Sequence, residues 1–175
     1  MDRIGYRGSA PCPGAAPHAF VELHIEQGPV LDKEDIQIGV VEGVQGISWR
    51  ELTLTGQSNH AGTTPMSLRR DPMRVAAEVV VAARSIASEI GGSQVATVGS
   101  LTLYPNLVNV IPAKATMTVD LRNMDEPSLQ LAEEQLQLRV AAIAENEDVN
   151  VESRSLARFE PVEFDGRVVG QIEQL

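Results

Sequence analysis

Cysteine is almost missing from these 175 residues: Cys12 stands alone, so no internal disulfide can form. A reducing cytoplasm is therefore the expected compartment. Basic residues are scarce as well. The chain has 14 lysines and arginines against 24 acids, a net charge of −10, the wrong sign for a nucleic-acid partner. No apolar run is long enough to span a membrane, and the opening MDRIGYRGSAPCPGAAPHAF has no stretch that would serve as the core of a secretory signal. Histidine occurs three times, without a His-x-His or Cys-x-x-Cys pair that would mark a metal site from spacing alone. What is present is apolar bulk, 43% of the chain, enough for one ordinary domain or a small domain with extensions.

The first 19 residues are rich in Gly, Ala and Pro and read as loop. FVELHIEQGP then alternates, with Val21, Leu23 and Ile25 on one side and Glu22, His24 and Glu26 on the other, which predicts a strand closed by Gly28-Pro29. A further strand is expected over 36–44, IQIGVVEGV, and a third over 47–56, ISWRELTLTG. Asp71 and Pro72 suit an N-cap and a first helical position, and Gly91-Gly92 a helix stop, so 71–90 is expected to be helical. Strands follow over 94–104 and in KATMTVDLRN, where Met117, Val119 and Leu121 should face inward and Thr116, Thr118, Asp120 and Arg122 outward. A second helix begins near Asp125 and carries Leu129, Ala132, Leu136, Val140 and Ile143 at helical spacing. Residues 149–157 read as a closing strand, and the tail ends in a helix. From 47 to 157 the order is β-α-β-β-α-β. This is an α+β, ferredoxin-like layout: a four-stranded antiparallel sheet with both helices on one face.

Four polar residues are candidates for chemistry, each with a plainer alternative. His24, flanked by Glu22 and Glu26, could be a metal ligand with its supporting shell, or part of a solvated strand face. His60 sits in QSNHAGTTPM, just past a strand. It could aim an N–H at a developing oxyanion, or be an exposed loop residue. Asn109 in NLVNVIP is otherwise a turn asparagine. Arg122 could grip a carboxylate with its planar fork, or simply pair with Asp120 on the surface. Trp49 reads as packing, and Cys12 has no nearby base to make it a nucleophile.

ELHIEQGPVL, GQSNHAGTTPM, RRDP, NVIP and VDLRN stand in this order. In order and spacing they resemble the N-carbamoyl-L-amino-acid hydrolase and allantoate amidohydrolase group, which includes bacterial-type β-ureidopropionases. That group belongs to the larger clan of two-metal aminoacylase-like peptidases. VQGISWREL looks more like the carbamoylase branch. The resemblance runs from GYRG through nearly the whole chain. It implies a large α/β catalytic domain with two divalent metals per site (Zn, Mn, Co or Ni), into which a smaller lid and dimerisation domain is inserted. Residues 47–157 would be the lid, and 1–46 and 158–175 stubs of the catalytic domain on either side.

The same resemblance makes His24 a metal ligand. It makes His60, Asn109 and Arg122 substrate-facing lid residues, with His60 reaching a neighbouring subunit's site as an oxyanion donor and Arg122 holding the substrate's carboxylate. The partners implied are a small carboxylate substrate and a second copy of the chain. The group's other ligands, a His-x-Asp, a bridging Asp, a Glu-Glu pair and a late His, have no counterpart here. The chain is therefore expected to be a central fragment, inactive alone and without bound metal. The rival from another class is a stand-alone ferredoxin-like dimerisation or ligand-binding module.

Overall fold

A computed structural model of the chain describes residues 2–11 and 13–175; the reading of Cys12 lies outside the described residues. In chain order the elements are α1 (Val30–Lys33), β1 (Gly43–Val44), β2 (Gly46–Thr55), β3 (Asn59–His60), α2 (Pro72–Ile90), β4 (Val95–Tyr104), β5 (Val110–Ile111), β6 (Lys114–Asn123), α3 (Glu126–Asn146), β7 (Asn150–Phe159), β8 (Val162–Glu163) and α4 (Gly166–Glu173), with 3-10 turns at Asp2–Ile4 and Met66–Leu68. The chain divides into two compact units. One is Glu42–Phe164; the other joins the segment before Glu42 to Asp165–Leu175.

Within Glu42–Phe164 the four long strands form one antiparallel sheet in the order β4-β6-β2-β7. The expected β-α-β-β-α-β frame is present. The unit reaches past 47–157 at both ends because Gly43–Val44 pairs with Val162–Glu163 and fastens entry to exit. Alternation along β6 sends Ala115, Met117, Val119 and Leu121 to one face, all fully buried. They meet Leu52 and Leu54 of β2, Val75, Ala76, Val79, Ala83 and Ile86 of α2, and Leu129, Ala132, Leu136 and Val140 of α3. Each Leu, Ile, Val or Met side chain withdrawn from water here contributes roughly 1.5–3 kcal/mol, and each alanine methyl less.

Both helices start as their sequences dictate. The Asp71 carboxylate accepts from the Met73 N–H at 2.9 Å, and Asp125 accepts from the Ser128 N–H and hydroxyl at 2.9 and 2.7 Å. Gly91, at φ 70°, ends α2, in a left-handed conformation that a Cβ disfavours.

Two expected strands do not form. Residues 20–28 make no ladder, and of 36–44 only Gly43–Val44 is a strand. In the first segment Val21, Leu23 and Ile25 are 63%, 93% and 75% exposed. A period-2 pattern specifies only which side chains share a face. A strand also needs a neighbour to take its backbone N–H and C=O groups, and no described strand offers one here.

Candidate functional site

Beyond the Thr55 end of β2 the chain makes a loop, closed at its neck by a bond from the Gln57 N–H to the Arg70 carbonyl at 2.9 Å. Gly56 sits at this neck, and a Cβ there would lie 2.1 Å from the Arg70 oxygen. The first part of the loop is the short strand β3. It pairs with β5, matching His60 with Val110 and Asn59 with Ile111. The Ala61 N–H also donates to the Asn109 carbonyl at 2.9 Å. Asn109 thus stands beside His60, and both are exposed. Two residues far apart in the sequence share one tip because a two-residue ladder ties their backbones together.

His60 is held in a defined state. Its Nδ1 accepts from the Gly62 N–H at 3.1 Å, so the neutral ring carries its proton on Nε2. The His60 carbonyl accepts from the Thr64 hydroxyl at 2.7 Å and the Thr64 N–H at 3.2 Å. Around this tip Met66, Leu68, Tyr104, Leu107 and Val108 are each at least 60% exposed. An exposed apolar rim about two polar groups is a surface of the kind that marks contact with another protein surface or a ligand.

Arg122 is elsewhere. It lies eight positions after Lys114, the residue at the tip end of β6, a separation of ~26 Å at strand rise. No small molecule spans that distance, so one copy of the unit does not bring Arg122 to His60 and Asn109. Arg122 does pair with Asp120, the plainer reading of its place on the outward face. Asp120 accepts from its Nε at 3.1 Å and from one terminal nitrogen at 2.9 Å. The guanidinium lies 5.8 Å from the centre of the Trp49 ring, a cation–π distance. The hydrogen bonds to Asp120 raise its pKa further above the ordinary arginine value, with burial opposing, so it stays cationic. Asp120 takes one edge of the fork; the end formed by the two terminal nitrogens keeps the geometry for a second carboxylate. Trp49 is less a core residue than a platform, 40% exposed on the uncovered face of the sheet.

In the other unit His24 is exposed, with Nδ1 2.5 Å from the Ile25 carbonyl. Glu26, expected to support it, instead accepts from the Val30 and Leu31 N–H groups at the start of α1. Among the described residues no three His, Cys, Asp or Glu side chains gather so as to hold a metal ion.

The model of the peptidase dimerisation domain family matches residues 42–152, nearly the same stretch as the compact unit that carries the tip and Arg122. The chain belongs to that family. Known relatives extend the likeness beyond the dimerisation domain. An N-carbamoyl-L-amino-acid amidohydrolase of Rhizobium meliloti is 36% identical over 169 residues, 97% of this chain and 41% of that protein. An allantoate amidohydrolase of Escherichia coli is 38% identical over 157 residues, 90% of this chain and 38% of that protein. The crystal structure of a hydantoinase/carbamoylase family amidase from Burkholderia multivorans superposes with a TM-score of 0.90 at 41% identity, covering 99% of this chain and 42% of that one. The chain thus spans about two fifths of the length of the relatives it matches.

Sequence reasoning passed over one residue of the dimerisation domain's tip. Arg69, noted only as part of RRDP, folds back into the loop and donates from Nε to the Thr64 carbonyl at 3.2 Å and from a terminal nitrogen to the Ala61 carbonyl at 2.7 Å. Nothing in its spacing marks this, because the loop must close before the contacts exist. Chemically, the tip offers an Nε2–H donor and a primary amide at an exposed edge, suited to an oxygen that gains negative charge.

Proposed function

We propose that this chain is the lid and dimerisation part of an amidohydrolase that cleaves the linear ureido or amide C–N bond of N-carbamoyl-L-amino acids or allantoate, in the cytoplasm and as a homodimer. The observation that carries this reading is the split of the candidate residues: His60 and Asn109 share a tip, while Arg122 stands far down β6. One substrate touched by all three needs two copies, one lending the tip and the other Arg122. The exposed apolar rim of the tip fits such an insertion.

In that arrangement the His60 Nε2–H would donate to the carbonyl oxygen of the scissile group as it gains charge, and the Asn109 amide would help orient it. Arg122, held by Asp120 and the Trp49 ring, would fix the substrate's carboxylate. Divalent metal, where bound, supplies the activated water in hydrolysis of this class. The residues present do not by themselves form such a centre; His24 would be a single ligand among donors contributed from elsewhere. Relatives named for the two substrate classes match at 36% and 38% identity, so a panel of N-carbamoyl amino acids and allantoate is the direct assay of substrate.

The two-copy site has its own test. In the full enzyme, His60→Ala and Arg122→Ala homodimers should each lose most activity. Unfolding and refolding the two together should restore about a quarter of wild-type turnover, since half the dimers are mixed and each of these has one intact site. No recovery on mixing, with mixed dimers shown to form, rejects the arrangement.

A further inference from the structure

The loop that presents His60 is held from inside. Three interactions fix the ring and its backbone: the Gly62 N–H on Nδ1, Thr64 on the His60 carbonyl, and the ladder to Asn109 and Val110. The carbonyls of Ala61 and Thr64 bracket the Gly62 turn, and both point at a single guanidinium, that of Arg69. Arg69 is half-buried. It forms part of the wall of a hollow of about 230 Å³ whose other walls include Asp71, Met73, Leu103, Asn106, Val110 and Ile111. Water entering there after loss of the guanidinium would not be fixed between the two carbonyls as the planar fork is. It would therefore replace the two N–H donors poorly, leaving half-buried carbonyls short of hydrogen bonds. Gly62 adds a steric constraint, since a Cβ there would stand 3.3 Å from the His60 ring.

We propose that Arg69 is a positioning residue for the hydrolysis. Through the Ala61 and Thr64 carbonyls it holds the Gly62 N–H against His60 Nδ1, and so keeps the Nε2–H tautomer aimed outward. The inference rests on the reading of His60 as the oxyanion donor. A planar fork reaches two carbonyls from one stem, whereas a lysine ammonium is a point donor on a flexible chain.

The test has two readouts. In this chain, imidazole nitrogen shifts report the His60 tautomer, and hydrogen exchange reports the Gly62 and Thr64 amides. Arg69→Met should convert a single Nε2–H signature into an averaged one and raise exchange at Gly62 and Thr64 by about tenfold or more, with the Leu52 and Val119 amides unchanged. Arg69→Lys should fall between, and it decides the matter if the methionine variant fails to fold. In the full enzyme Arg69→Met should lower kcat with little change in KM and be non-additive with His60→Ala. An unchanged tautomer signature and exchange pattern in the folded variant overturns the proposal even if His60→Ala is inactive. If the signature changes as expected but neither Arg69→Met nor His60→Ala alters kcat, Arg69 does position the ring, and it is the catalytic reading of His60 that fails.

Discussion

Protonation geometry gives His60 its character. With Nδ1 occupied by the Gly62 N–H, the neutral ring has one free donor and no free acceptor, which suits a stabiliser of negative charge better than a general base. In the full enzyme His60→Ala should lower kcat by roughly 10²–10³, the usual loss for one oxyanion donor, with KM nearly unchanged. Near wild-type kcat in steady-state assays would make His60 a mere loop residue. Arg122 calls for a different substitution. Because Asp120 and Trp49 already hold the guanidinium, Arg122→Lys keeps the charge but loses the fork. It should raise KM for carboxylate substrates about tenfold, equivalent to ~1.4 kcal/mol of binding, and affect a neutral amide analogue much less. Equal losses on both substrates would leave Arg122 as a structural partner of Asp120.

Among the elements, α2 and α3 are held by local chemistry with measurable consequences. Asp71→Ala removes the acceptor of the Met73 N–H and should cost about 1 kcal/mol, read as a lowered denaturant midpoint. α3 is tied to β7 by ion pairs: Glu126 with Arg158, and Arg158 with Glu133 at 3.1 Å. The hydrogen bonds from Arg158 hold the Glu126 carboxyl below its usual range, with burial opposing. Those from Arg139 do the same for Glu89, again against burial. For a depressed carboxylate, the linked stability is fully present above the unfolded-state pKa of about 4.3 and is lost as pH falls through the folded value. Thermal melts should therefore hold steady from pH 8 to about 5 and drop below about pH 4. The drop should be shallower for Glu126→Gln, and an identical acid profile in that variant would remove the pair from the account.

At the largest scale, both outer strands of the sheet, β4 and β7, leave one edge without a strand partner among the described residues, and the tip displays an apolar rim. Together with membership of a dimerisation-domain family, this leads us to expect self-association. Sedimentation showing only monomer at high micromolar concentration would count against it. Since the described residues form no metal-donor cluster, the chain alone, supplied with Zn, Mn, Co or Ni, should give no turnover of N-carbamoyl amino acids above a metal-only blank. Clear turnover would show that the chain completes a site by itself.

What the sequence determined alone is what depends on near neighbours. The caps at Asp71 and Asp125, the stop at Gly91 and the inward set Met117, Val119 and Leu121 all follow from contacts within a few residues or from strand alternation. The same alternation at Val21, Leu23 and Ile25 predicted a strand that did not form, because alternation carries no information about a pairing partner. Tertiary structure alone decided the strand order β4-β6-β2-β7, the meeting of His60 with Asn109, their separation from Arg122, and the grip of Arg69 on Ala61 and Thr64. Each of these depends on backbone groups distant in the chain, or on a closed loop. Such contacts exist only once the burial of the shared core has offset the entropy of bringing their segments together.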